Sequence, residues 1–221
     1  MELRLEHNSN ILAHRLGALS ERYESGGRGA GTVSGGVGDP GGVSYGLYQL
    51  ASKTGTAAAF LRSEGARWAA ELSATPGSPA FSTAWKAIAT RDGTAFADAQ
   101  HAFIARSHYR PVVAAVLKTT GHDLDARPDG LRDAVWSAAV QHGRAAPLLI
   151  AAIADADTSA PRGSPGHDRA TVEAAYRQRS AYVRSIADRS TSAVRRTLMN
   201  VVEKRYPAEC KAALAMLPVL G

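Results

Sequence analysis

Apolar residues recur at helical spacing through most of this chain, and the pattern predicts one helix after another. Leu5, Ile11, Leu12, Leu16 and Leu19 place a first helix over residues 3–24, stopped by Gly26-Gly27. Residues 28–50 break the pattern. Glycine is dense there, with Thr32, Val33, Val43 and Tyr45 between, which predicts a small β-hairpin or an ordered loop. Helical spacing returns from Thr54 to Leu72 through Ala58, Leu61 and Trp68. Gly65 lies inside that stretch and suggests two short helices in place of one. Thr75-Pro76-Gly77-Ser78-Pro79 is a turn, with Ser78 as N-cap and Pro79 as the first helical residue. The helix beyond it buries Phe81, Trp85 and Ile88.

The longest periodic run goes from Thr94 to about Leu117 and carries Phe96, Phe103, Ile104, Val112, Val113 and Val116. Pro111 is expected to break or kink it. Residues 131–141 and 147–153 form a helical pair joined at His142-Gly143-Arg144. Residues 158–166 are a flexible connection, and two or three basic helices follow from His167 to Leu217. No repeat and no heptad run is visible. The expected fold class is mainly α, with one small hairpin. Trp68, Trp85 and Trp136 all lie on apolar helical faces and read as core.

Composition narrows the picture. The 221 residues, 45% hydrophobic and 21% charged, suit a globular chain. The expected organisation is a core over residues 1–160 and a basic helical extension over 161–221 packed on the same domain. Cys210 is the only cysteine, so no internal disulfide can form, and its thiol reads as structural. The segment Met1–His7 is charged and lacks the apolar core of a secretory signal. No apolar run reaches the roughly 18–20 residues of a membrane span. The expectation is a protein made in the cytoplasm.

The net charge is +6. Of 26 Lys/Arg and 20 Asp/Glu, 11 and 5 lie from Arg162 onward, which leaves 15 of each before it. The basic excess therefore belongs to the C-terminal helices. Such a face suits an anionic polymer, either peptidoglycan with its acidic peptides or nucleic acid, or it simply keeps the surface solvated. No nucleic-acid reading motif accompanies the charge, so no nucleic-acid partner is expected. The seven histidines form no His-x-x-x-His pair with a glutamate, and His101 and His108, seven apart, lack further ligands. No metal and no cofactor are expected. The glycines from Gly26 to Gly31 follow a helix and lack a Lys-Ser/Thr end, so they are no phosphate loop.

Two segments carry candidate chemistry: Tyr23-Glu24-Ser25-Gly26-Gly27 and Gly42-Val43-Ser44-Tyr45-Gly46-Leu47-Tyr48-Gln49-Leu50. Glu24 falls at the last turn of the first helix. The negative end of the helix dipole and low polarity both disfavour its charge there, which makes it a proton donor near neutral pH. Asp39 precedes Pro40 and is either a turn residue or a second carboxylate that holds water. Ser44 and Tyr45 are either hairpin residues or site residues. Gln49 either bonds the backbone beneath Glu24 or reaches substrate.

These two segments together resemble the lysozyme-like superfamily of phage endolysins, lytic transglycosylases and chitosanases. The match is the Glu-Ser-Gly turn after the first helix and the Ser44-Tyr45-Gly46-x-Tyr48-Gln49 element, where many members carry Gly-Leu-Met-Gln and this chain has Tyr48 in place of the methionine. With Gly38-Asp39-Pro40-Gly41-Gly42 between the segments, the chain looks most like muramidases of tailed phages and of toxins delivered by phage-like secretion machines. Gln100-x-x-Phe103, Tyr109-x-Pro111 and Trp136-Ser137-x-x-Val140-Gln141-His142-Gly143 extend the similarity. The resemblance implies a lysozyme-like α+β fold with the hairpin beside a cleft. It implies a peptidoglycan-degrading muramidase that hydrolyses β-1,4 glycosidic bonds, with Glu24 as general acid and Asp39 activating water. Ser44, Tyr45, Gln49, Gln141 and His142 would contact substrate, although a histidine at a helix end is commonly a cap. It further implies a monomer that reaches the cell wall after release or delivery, with delivery machinery or an immunity protein as the partner to look for. The rival expectations are a lytic transglycosylase, a chitosanase (disfavoured by the positive charge) and a non-catalytic wall-binding or phage structural module.

Overall fold

A computed structural model describes residues 14–24, 29–36 and 41–219, Glu24 by its backbone alone. Ten α-helices stand among the described residues: α1 Ala18–Glu24, α2 Thr56–Leu61, α3 Pro79–Arg91, α4 Gly93–Ile104, α5 Arg110–Thr120, α6 Asp129–Gln141, α7 Ala145–Asp157, α8 Pro165–Ala187, α9 Ser192–Asn200 and α10 Tyr206–Ala215. One antiparallel two-stranded sheet joins β1 Ser44–Tyr45 to β2 Leu50–Ala51, with Ser44 opposite Ala51 and Tyr45 opposite Leu50. The chain is mainly α with one small hairpin, as its periodicity indicates. No described helix is long and apolar enough to cross a membrane.

Several boundaries follow from local chemistry. Ser78 caps α3 by accepting the Phe81 amide at 3.2 Å, and Pro79 fills the first turn, where a missing N–H costs nothing. Ser164 and Pro165 open α8 in the same way. The Thr54–Leu72 stretch is split into α2 and a 3₁₀ turn, Ala66–Trp68. Gly65 separates them, and a side chain there would meet the Phe60 ring at 2.5 Å.

Two features depart from the periodicity. The run through Pro111 does not break. A π-helical turn, Ala105–Tyr109, carries α4 into α5, and a second, Val201–Arg205, carries α9 into α10 just before Pro207. A proline ring crowds the carbonyl four residues back, and widening that turn relieves the clash. The first helix also differs from the expected span 3–24. Residues 1–13 lie outside the described residues, and α1 begins only at Ala18. Gly17 has a left-handed φ of 88°, and a Cβ there would stand 2.7 Å from the Trp136 indole.

The start of α1 is held by Asp133 from α6. Its buried carboxylate accepts the Gly17 amide at 2.9 Å and the Leu19 amide at 3.1 Å, and His14 Nε2 stands 3.0 Å from the same Oδ1. Helix α6 packs against α1, α7, α8 and α10, and nine of its residues are buried. Val172, Tyr176 and Tyr206 of the C-terminal helices join the same core as Trp136 and Phe103. Trp68, Trp85 and Trp136 are all in that core. Cys210 is half-buried, and burial pushes its thiol pKa up.

Asp133→Ala should therefore cost more than an ordinary surface change. It strands two buried amides, each worth about 1–3 kcal/mol when unsatisfied. For a chain of this size, a loss of about 3 kcal/mol lowers Tm by roughly 6–12 °C, measured by thermal unfolding. A shift under about 2 °C would show that the carboxylate does not anchor α1.

Candidate functional site

A cleft of about 670 Å³ opens between α1, the glycine loop at residues 29–31, the hairpin turn at Leu47, and helices α3 and α4. Its charged lining is Arg15, Glu21, Lys86 and Asp98. Arg15 Nη2 stands 3.8 Å from Glu21 and 3.5 Å from Asp98, so one guanidinium spans two carboxylates.

The cleft walls are tied by one buried amide. Gln100 Oε1 accepts the Leu47 amide at 3.0 Å, and its Nε2 donates to the Ala30 carbonyl at 3.2 Å. Gly46 has a φ of 74°, and a Cβ on it would lie 2.1 Å from Gln100 Oε1, so glycine is required there. Val33 bridges Tyr45 and brings the glycine-rich loop against the hairpin.

Beneath the cleft runs a polar chain. The Tyr48 hydroxyl donates to Glu21 Oε1 at 3.0 Å and lies 2.8 Å from His101 Nδ1. A phenol has one proton, and it goes to Glu21. His101 Nδ1 therefore carries the hydrogen of that second bond. The His101 ring stacks on Trp136 with centroids 4.5 Å apart and planes 9° apart. Burial first, and the nearby Arg15 second, push the His101 pKa down to about 4, so the imidazole is neutral at pH 7. The arrangement gives a carboxylate at the cleft a neutral hydrogen-bond relay behind it.

The residues proposed from sequence fall into three groups. Glu24 is the last residue of α1, one turn beyond Glu21; its side chain and all of Asp39 lie outside the described residues. Ser44, Tyr45 and Gln49 are in the hairpin. Ser44 is buried, and its amide donates to Ser34. Tyr45 is fully buried against Phe81 and Trp85, and its hydroxyl accepts the Gly77 amide at 2.9 Å and meets Ser82 at 3.0 Å. In this position it faces the core and not the cleft. Gln49 has a φ of 53° and bonds its own turn at the Gly46 carbonyl, 3.2 Å away. Gln141 and His142 form the third group and do not join the cleft. Gln141 Oε1 accepts from Arg179 at 2.6 Å and from Tyr206 at 3.0 Å, and His142 Nε2 meets the Tyr206 hydroxyl at 2.9 Å. Both belong to the packing of α6 on α8 and α10.

The sequence reading passed over Glu21, Tyr48 and His101 as a unit. Tyr48 carried the available signal: a hydroxyl at an otherwise apolar buried position needs a polar partner.

The chain belongs to the family described as type VI secretion system spike protein VgrG3-like, C-terminal, whose model matches residues 16–205. It is also similar to the type VI secretion system spike protein VgrG3 of Vibrio cholerae serotype O1 (strain ATCC 39315 / El Tor Inaba N16961), at 36% identity over 139 residues. That alignment takes in 62% of this chain but 13% of the relative's length. These matches overturn the assignment to the lysozyme-like superfamily. The short motifs around Glu24 and Tyr48 resembled that superfamily, whereas the match over 16–205 is to the spike family. The muramidase function drawn from that resemblance falls with it.

His101 and His142 give the fold a pH dependence with a definite sign. Burial, ahead of Arg179 and Arg205, also pushes His142 down to about 4. The unfolded chain takes up both protons near 6.5, and the folded chain only near 4. Stability is then level above about pH 6.5 and falls as the pH drops toward 4. Tm measured across this window should fall, and less steeply in His142→Gln, whose amide keeps a donor toward Tyr206. An unchanged slope would remove His142 from the account.

Proposed function

We propose that this chain is the cargo domain of a type VI secretion spike, and that it acts on cell-wall peptidoglycan as a glycoside hydrolase. The observation that carries the delivery half is the family match over 16–205 to the C-terminal part of a spike protein. The alignment takes in 13% of a much longer relative, and the family is described as the C-terminal part of the spike protein, which suits a module riding on the spike. Support for the enzymatic half is the cleft, with Glu21 and Asp98 at its lining and Glu24 one turn along the same helix as Glu21. Glu24 and Asp39 are the proposed catalytic carboxylates, and glycan strands are the proposed substrate. Neutral hydrogen bonding behind Glu21, through Tyr48 and His101, would keep the cleft side of α1 fixed while substrate binds.

Digestion of purified sacculi tests this reading. The chain should release soluble fragments, and mass analysis of their ends identifies the bond that is cut and the group that attacks it. Glu24→Gln should fold with a normal Tm and lose about 10²–10⁴-fold in release, the usual worth of positioned proton transfer. Full activity in that variant would remove Glu24 from the site, and no release by the wild-type chain would remove the hydrolase proposal.

A further inference from the structure

A second polar cluster lies where the loop after α5 meets the first turn of α8, and none of the cleft-lining residues takes part in it. His122, His167 and Asp168 are all more than nine-tenths buried. One ring nitrogen of each histidine and one oxygen of Asp168 lie within 4.8 Å of one another. The two rings stand edge to face with centroids 5.1 Å apart.

Both imidazoles have a lone pair to spare. His122 Nε2 is shut away from solvent and has no hydrogen-bond partner among the described residues. Buried polar atoms of this kind are uncommon and ask for an explanation. His167 Nε2 lies 3.0 Å from Asp157 Oδ1. A carboxylate at neutral pH can only accept, so Nε2 carries the hydrogen and Nδ1 the lone pair. Thr171 Oγ1 is 3.4 Å from that Nδ1, but its one hydrogen goes to the His167 carbonyl at 2.8 Å. Nothing described donates well to Nδ1. Asp168 is fixed by Arg127 through both oxygens, at 2.9 and 2.7 Å, and each oxygen retains a second lone pair.

We propose that His122, His167 and Asp168 bind a zinc ion. Two imidazoles and a carboxylate are a favoured zinc donor set, with a fourth position for water or an anion. Asp157 behind His167, and Arg127 behind Asp168, are the outer partners that orient such ligands. Bonds of about 2.0–2.2 Å require the donors to draw in from their present spread. His122 can supply that movement, because it sits in a loop entered through Gly121, whose φ is 68°. The bound ion ties this loop to the start of α8 and acts on stability, apart from the cleft. The sequence spacing hides the site, since the two histidines lie 45 positions apart.

The test uses the whole chain, stripped with chelator and titrated with zinc alone. Calorimetry and metal analysis after gel filtration should give one zinc per chain, and saturating zinc should raise Tm by several degrees. His122→Ala and His122→Gln should each lose at least tenfold in affinity. Neither breaks a side-chain hydrogen bond among the described residues. His122→Gln keeps much of the buried volume, so its metal-free Tm should hold, whereas His122→Ala leaves a cavity and should lower it. The loss of affinity in His122→Gln is therefore the deciding result. Absence of stoichiometric binding at micromolar zinc, or wild-type affinity in His122→Gln, overturns the proposal.

Discussion

Everything at the cleft depends on a buried carboxylate that reaches from the middle of the chain to its beginning. Asp133 satisfies the two amides that open α1, across 116 and 114 residues of sequence. A buried charge is tolerated only when its acceptor capacity is filled, and here backbone amides and His14 fill it. The bond sets where α1 starts, and the start sets which residues its seven positions present. Glu21 then lies over Tyr48, and Glu24 ends the helix. Three residues on from Asp133, Trp136 packs beneath Gly17 and stacks on His101. One helix face thus fixes both the direction of α1 and the floor under the relay.

The same helix organises the other half of the molecule. Ser137 donates to Glu209 Oε2 at 3.0 Å, and Gln141 accepts from Arg179 and Tyr206. Arg179 is almost wholly buried between the Tyr176 and Tyr206 rings, 4.8 and 4.5 Å from their centroids, and 3.6 Å from Glu209. Arg205 reaches Glu209 at 2.6 Å. A buried ion pair adds little net stability over an apolar core, but removing one partner leaves an uncompensated charge. Part of the C-terminal basic excess is therefore internal structure, and only the remainder is available to an anionic partner. The helices after residue 160 are bound into the core by this network, and the family match also runs across that point.

Glu24, Ser44 and Gln49 all belong to α1 or the hairpin, both of which border the cleft. Tyr45 of β1, however, is drawn into the aromatic core by Phe81 and Trp85, because burying its ring is favourable and only its hydroxyl needs a partner, which the Gly77 amide supplies. Gln141 and His142 follow a helix end that points toward α8 and α10. Short motifs also led to the wrong family, since a helix-end glutamate and a glycine turn are compact solutions that unrelated chains can share.

The amino-acid order by itself determined most of the helices from Thr54 onward and several of their ends. Apolar spacing, Ser78-Pro79, Gly65 and the His142-Gly143-Arg144 joint act within a few residues, so they are readable without the fold. It also determined that the three tryptophans are core. Periodicity says that a face is buried and not what buries it. The choice of α6 as the central helix, the late start of α1 at Gly17, the Glu21-Tyr48-His101 relay and the His122-His167-Asp168 cluster were decided by tertiary structure. Each joins polar groups far apart in sequence, and such groups become partners only when burial removes water as the alternative.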